Sequence, residues 1–289
     1  SAGEWAVLGG LVALVWAYSR GLGKLRARVR PENRAPREPA SSSSSELERN
    51  ARHIVLREIG GPGQKRLKEA RVLVIGAGGL GAPALQYLAA AGVGTIGVID
   101  DDVVENSNLQ RQEIHTDARI GMPKVISAET AMKAQNPHVM VRPYNRRLTA
   151  EIARELCADY DLILDGTDDV ATRYLVNETA VAPGLPLISA AISPWEGQIS
   201  VFDPARGAPC YACVFPEPAA AGLAPSCAEG GVLGPLPGVL GAMMAVEAVK
   251  LLAGAGETLL GRMMIYDAQY AEVRTINVAR RADCPICGT

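Results

Sequence analysis

The stretch "RVLVIGAGGLGAPALQYLAAAG", Arg71 to Gly92, and the "TIGVID" that follows it constrain the fold more than any other part of the chain. A short unbroken apolar run reads as a strand buried on both faces. A glycine-rich turn then opens a small-residue helix that Gly92 closes, and a second buried strand ends at Asp100. Gly76, Gly78, Gly79 and Gly81 follow a strand and open a helix, and Asp100 stands about 20 residues on, which fits a nucleotide-binding fingerprint. Glycines let backbone approach phosphate, the helix N-terminus supplies amide donors and partial positive charge, and the carboxylate accepts from ribose hydroxyls. The fingerprint predicts a nucleotide without saying which.

The alternation continues. "MPKVISAETAMKAQN" reads as a helix with Pro123 in its first turn, "VMVRPYN" as a strand and "TAEIARELCADY" as a helix. "DLILDGTDD" is a strand running into a polar turn, and "RYLVNETAVAPG" and "PLISAAI" supply a further helix and strand. "GQISVFDPARGAPCYACVF" is more β-like and turn-rich, "GVLGAMMAVEAVKLLAG" is a long apolar helix, and "RMMIYDAQYAEVRTINVAR" reads as a terminal hairpin. The pattern predicts an α/β fold with a doubly wound, mostly parallel Rossmann-like sheet and a partly antiparallel C-terminal section. Upstream, "ELERNARHIVLREIG" has helical spacing at Leu47, Ile54 and Leu56 and is expected to end at the Gly60–Gly61 pair.

The 289 residues, 48% of them hydrophobic, suffice for one large domain or two smaller ones. A net charge of −2 gives no basic field for gripping a nucleic acid backbone, so no nucleic acid partner is expected. "WAVLGGLVALVWAY", Trp5 to Tyr18, carries no charge and is bracketed by the aromatic residues of a membrane interface. Arg20, Lys24, Arg26, Arg28 and Arg30 follow it, the reverse of a cleaved signal peptide. Residues 1–29 therefore read as an inner-membrane anchor with basic flank, leaving the catalytic part in the cytoplasm; an amphipathic or core-docked helix is the alternative. Residues 30–46, rich in Pro, Ser and charge, read as a flexible tether, and 47–289 as the globular domain.

Beyond Asp100 lies "DDDVVENSNLQRQ", in which Asn108 and Arg111 suit phosphate contact, Arg through its planar donor fork. Lys124 falls in a helical first turn, where a solvated lysine is the ordinary reading and a phosphate ligand the functional one. "DGTDD", Asp165 to Asp169, is either a helix-capping turn or a hard-oxygen Mg²⁺ site shared with substrate phosphates. Four of the six cysteines form Cys210-x-x-Cys213 and Cys284-x-x-Cys287. Two such pairs suit a closed, structural Cys₄ Zn²⁺ site, here a long-range staple in a reducing compartment rather than a pair of redox dithiols. Cys157 reads as a packed small residue. Cys227, in a Gly/Pro-rich loop, is either an incidental thiol or one that accepts an acyl group or sulfur.

"GAGGLG", "SNLQRQ", "DGTDD" in place of the common D-x-T-D-N, the two Cys-x-x-Cys pairs and "CAEGGVLGPLPGVLG" together resemble the MoeB/ThiF/HesA adenylyltransferases, relatives of ubiquitin-activating enzymes. The resemblance runs from about Leu47 to the C-terminus. It implies ATP-dependent activation of the C-terminal glycine of a small ubiquitin-like sulfur-carrier protein ending in Gly-Gly, of the MoaD/ThiS type. Gly78 and Gly79 would cradle phosphate, Asp100 would bind ribose, Asn108, Arg111 and Lys124 would neutralise the triphosphate, and Asp168 would hold Mg²⁺. Arg52, in "NARHIVL", matches an arginine that family members insert into the neighbouring subunit's site, which implies a homodimer. Cys227 matches a loop cysteine that some members use for thioester or persulfide chemistry. No rhodanese domain follows Cys287, so a separate sulfur donor is expected.

Three rivals stand beside this reading. An NAD-dependent oxidoreductase explains the glycine loop and Asp100 but leaves Asn108, Arg111, Lys124 and Asp168 unemployed. A related branch adenylates a small molecule or a tRNA-borne carboxylate, and the mild acidity weighs against tRNA. A catalytically silent, zinc-stapled membrane scaffold leaves the whole set of ATP-site candidates without a role.

Overall fold

The computed structural model describes residues 42–217 and 230–288. The anchor reading of residues 1–29, most of the 30–46 tether, and Cys227 lie outside the described residues.

The expected single N-terminal helix is divided. Helix α1 (Ser44–Arg49) opens on a capping box in which Ser43 and Glu46 satisfy one another's backbone amides. This first described helix thus starts a little before residue 47. A second short helix, α2 (Ala51–Ile54), follows across Asn50. The glycine pair does not end a helix: it opens α3 (Gly60–Glu69), because Gly60 takes a left-handed φ of 59° and Pro62 falls in the new first turn, where its missing N–H costs nothing. Glu46 anchors α1 to α3 through Lys68 at 2.7 Å. Leu47, Val55 and Leu56, by contrast, stay exposed.

From there the βα alternation is as expected: β1 (Arg71–Ile75), α4 (Gly81–Ala90), β2 (Thr95–Asp100), α5 (Lys124–Gln135), β3 (Met140–Asn145), α6 (Ala150–Cys157), β4 (Leu162–Asp165), α7 (Val170–Val181) and β5 (Leu187–Ile192). Strand β6 (Glu196–Phe202), a short helix α8 (Tyr211–Val214), the long helix α9 (Pro235–Ala253) and the hairpin β7 (Arg262–Asp267) and β8 (Glu272–Asn277) complete the order. One eight-stranded sheet runs β3-β2-β1-β4-β5-β6-β7-β8. Its first five strands pair in parallel and the last three join antiparallel, which matches the fold class expected from the sequence.

The period of two along β1 divides the core. Val72 and Val74 pack with Leu85, Leu88, Met132, Leu240 and Met244 under α4, α5 and α9. Leu73 and Ile75 pack with Ile99, Leu156, Tyr160 and Val176 under α6 and α7. Helices thus cover both faces, which a parallel sheet requires. Chain order reverses between β1 and β4, its two central neighbours, and such a switch point opens a crevice at the carboxyl ends of the strands.

Candidate functional site

A cavity of about 750 Å³ occupies that crevice. Every parallel strand delivers residues to it: Gly76, Gly78 and Gly79 after β1, Asp100 to Asp102 after β2, Arg146 and Arg147 after β3, Gly166 to Asp169 after β4, and Ala191 and Ile192 at the end of β5. Seven of the residues singled out in the sequence, Gly78, Gly79, Asp100, Asn108, Arg111, Lys124 and Asp168, line this one space.

The glycine loop is shaped by close approach. Gly76 has a φ of 89°, and a Cβ on Gly81 would lie 2.0 Å from the Gly76 carbonyl oxygen, so the helix can start there only without a side chain. Gly78 faces open space, its nearest neighbour the Gln112 amide, while a Cβ on Gly79 would strike Pro237 of α9 at 2.9 Å. Asp100 turns inward: Oδ2 accepts from the Ala77 amide at 2.8 Å and Oδ1 from that of Asp102 at 2.9 Å.

The cations sit differently from one another. Lys124, the first residue of α5, is buried, and its Nζ meets Asp102 Oδ2 at 2.7 Å. The solvated-lysine reading is therefore set aside. Asn108 is also buried; its Oδ1 accepts from the Glu105 amide at 3.2 Å, which leaves its NH₂ group to the cavity. Arg111 is steadied by a 2.9 Å bond to the Ser107 carbonyl and makes no ion pair among the described residues.

The "DGTDD" segment holds three separate carboxylates rather than one cluster. Asp165 is wholly buried, accepting from the Thr167 amide at 3.1 Å and the Ser189 hydroxyl at 2.8 Å, and burial pushes its carboxyl up against the pull of Arg173. Asp169 caps α7, accepting from the Thr172 hydroxyl at 2.5 Å and amide at 3.0 Å. Those bonds, with Arg147 at 3.3 Å, hold it below the usual carboxylate range despite partial burial. Asp168 lines the cavity, as Asp169 does, but is exposed and is the one of the three with no hydrogen bond or ion pair among the described residues. One carboxylate beside bound phosphates is a donor set that Mg²⁺ accepts. The cap of the sequence reading is thus Asp169, and Asp168 is the carboxylate left facing the space where phosphates would lie.

Arg52 lies on α2, exposed and outside this cavity. The sequence reading passed over Gln112, Arg146, Arg147, Arg173, Gln198 and Tyr211, all of which line it. Arg146 and Arg147 directly follow an expected parallel strand, so the rule that ligands gather at strand carboxyl ends was available to find them.

A sequence model of the ThiF family matches residues 50–286. The chain belongs to the ThiF family. It is 48% identical over 250 residues to the sulfur carrier protein adenylyltransferase of Thermus thermophilus, covering 85% of this chain and 92% of that one. It is 52% identical over 252 residues to the probable adenylyltransferase/sulfurtransferase MoeZ of Mycobacterium tuberculosis, covering 86% of this chain but 64% of MoeZ. A crystal structure of E. coli MccB superposes with a TM-score of 0.71 at 22% identity, over 79% of this chain and 70% of that one, and so shares the fold.

This ThiF-family chain carries its second constellation beside the cavity. Cys210, Cys213, Cys284 and Cys287 converge, all buried, with Sγ separations of 3.8 Å (Cys210–Cys213), 3.6 Å (Cys210–Cys284) and 3.3 Å (Cys213–Cys287). Four thiolates about 2.3 Å from a tetrahedral Zn²⁺ stand roughly 3.8 Å apart, so the cluster is close to the size that ion needs. Burial pushes the Cys210 and Cys213 thiols up; at Cys284 burial acts the same way, but the amides of Cys287 and Ile286 and the hydrogen bonds of the Cys213 and Cys210 thiols together outweigh it and leave that thiol at about 7. Asn177 of α7 ties the first knuckle down, accepting from the Tyr211 amide at 2.8 Å and donating to Cys210 Sγ at 3.7 Å. Tyr211, between the first two cysteines, forms part of the cavity wall with Phe215 and Tyr174. Cys157 is a buried thiol pushed up to about 12 by desolvation, as an inert packed residue should be.

Proposed function

We propose that this chain is an adenylyltransferase that uses ATP to activate the C-terminal glycine of a small ubiquitin-like sulfur-carrier protein. The observation that carries the reading is the convergence of Gly78, Gly79, Asp100, Asn108, Arg111, Lys124 and Asp168 on one cavity at the switch point of the sheet. The similarity to adenylyltransferases of sulfur carriers supports it. A hydride-transfer enzyme has no use for the cations and Asp168 placed around the loop.

The carrier carboxylate is ionised at neutral pH, so no protein base is required. Its oxygen attacks the α-phosphorus, the bond from that phosphorus to the bridging oxygen of the β-phosphate breaks, and pyrophosphate leaves with the electron pair. The barrier is the approach of an anion to a polyanion, which cations and alignment lower. The Gly78 and Gly79 backbone and the Asn108 amide would line the phosphates, Arg111 and Lys124 would take up negative charge, and Asp100 would meet the ribose. Asp168 would hold Mg²⁺, which when bound would help neutralise the phosphate charge.

The finer assignments belong to the same reading. Sulfur transfer would serve molybdopterin or thiamin synthesis, with sulfur from a separate donor and Cys227 as the candidate thiol for that later step. Exposed Leu47, Val55 and Leu56 flank Arg52 and support a homodimer in which Arg52 completes the partner's site. The charge asymmetry of residues 1–29 supports anchoring at the inner membrane with the catalytic domain in the cytoplasm. The test is incubation of the chain with ATP, Mg²⁺ and carriers ending in Gly-Gly. A carrier adenylate by mass spectrometry, with stoichiometric pyrophosphate, is expected; no adduct with any carrier would overturn the reading.

A further inference from the structure

His115 touches no expected ligand, yet it sits directly behind the glycine loop. It is buried, with Nε2 2.9 Å from the Ala77 carbonyl oxygen and Nδ1 2.9 Å from Ser127 Oγ. A carbonyl oxygen only accepts, so Nε2 carries the hydrogen; Nδ1 then accepts from the Ser127 hydroxyl, whose oxygen in turn faces Arg119 NH1 at 3.4 Å. Burial holds the imidazole below its usual range, with Lys124 and Arg119 adding to the effect and the Ala77 carbonyl and Asp100 opposing it, so the ring is neutral at neutral pH.

The Ala77 carbonyl and the Gly78 N–H belong to one peptide unit, and in a trans unit they point in opposite directions. Gripping the carbonyl from behind therefore aims the Gly78 N–H forward, into the cavity that Gly78 lines. The preceding unit is pinned as well, by Asp100 through the Ala77 N–H at 2.8 Å. Two successive peptide planes are fixed, one from the ribose side and one from the core.

We propose that His115 is a positioning residue for the nucleotide: through Ala77 it sets the plane of the peptide whose N–H meets phosphate. The inference rests on the adenylation reading for the identity of that nucleotide. Ser127 lies one helical turn after Lys124 on α5, so the same helix that delivers the buried cation also orients the imidazole.

The test compares His115→Phe, which keeps the bulk and removes both hydrogen bonds, with His115→Gln, whose amide can reach where Nε2 was. His115→Phe should weaken binding of a non-hydrolysable ATP analogue, measured by calorimetry, roughly tenfold. His115→Gln should restore most of that loss, with metal content and unfolding temperature close to wild type. Nitrogen NMR of the wild-type chain should show a single His115 tautomer, protonated at Nε2, and this readout needs no variant to fold. An Nδ1-protonated or fully charged ring, or wild-type affinity in a folded His115→Phe chain, would overturn the proposal. A wild type that makes no adenylate, yet shows the locked tautomer and a His115-dependent nucleotide affinity, would sink the adenylation reading and leave this one standing.

Discussion

Lys124 is buried while the carboxylate it grips at 2.7 Å, Asp102, is two-thirds exposed at the cavity edge. The pair is therefore not a core ion pair whose rupture strands a buried charge. Replacing Lys124 with Ala leaves Asp102 in water and takes a cation from the cavity. Lys124→Ala, like Arg111→Ala, should lower carrier-dependent pyrophosphate release by about a hundredfold or more, comparable to removing one donor from an oxyanion hole. Circular dichroism and metal content should stay as in wild type.

The Asp169 cap makes stability depend on pH in a defined direction. Its folded pKa lies below the unfolded value, through the Thr172 hydroxyl first and then the Thr172 amide and Arg147. Its contribution is therefore full above the ordinary carboxylate range and is lost as pH falls through the depressed folded value. Asp169→Ala should cost about 1 kcal/mol at pH 7, a typical cap. In denaturant titrations the gap to wild type should close below about pH 4. A gap that stays constant in acid would show that the carboxylate's charge plays no part.

If the cysteine cluster holds one Zn²⁺ per chain, as its geometry suits, Cys284→Ser should abolish that binding and lower the unfolding temperature by roughly 5 °C or more. Strong chelators should do the same to the wild type. Because Tyr211 sits inside the first knuckle and also in the cavity wall, tyrosine fluorescence should change on metal loss.

If Arg52 works in a partner's site, two inactive chains should rescue each other. Arg52→Ala and Lys124→Ala subunits, unfolded and reassembled together, leave about a quarter of the sites intact in a randomly mixed dimer. Adenylation should return to about that fraction. Absence of recovery despite dimer formation, followed by size-exclusion with light scattering, would remove Arg52 from the site.

Much of the architecture was legible because each device is local. The apolar run of β1, the glycines after it and Asp100 lie within one βα unit, and the same holds for the alternation down to Ile192. What escaped depends on strand order. Arg147 meets Asp169 only because the ends of β3 and β4 face one space from opposite sides of β2 and β1. His115 carries no sequence signal at all, since its role comes from a backbone carbonyl 38 positions away. The N-terminal helix departs from its sequence pattern for a different reason. Leu47, Ile54 and Leu56 are periodic, but Leu47 and Leu56 stay exposed, so the pattern did not report the hydrophobic core of this chain.

The two cysteine knuckles stand 74 positions apart, with α9 and the β7–β8 hairpin strung between them. A metal held by both knuckles would tie together segments that far apart, and because no such site exists in the unfolded chain its binding free energy would add to folding free energy. In the folded chain the four thiolates meet with α9 and the hairpin both in place between them. Metal content, if zinc fills this cluster, would then serve as a census of correctly assembled chains that can be taken before any nucleotide is added.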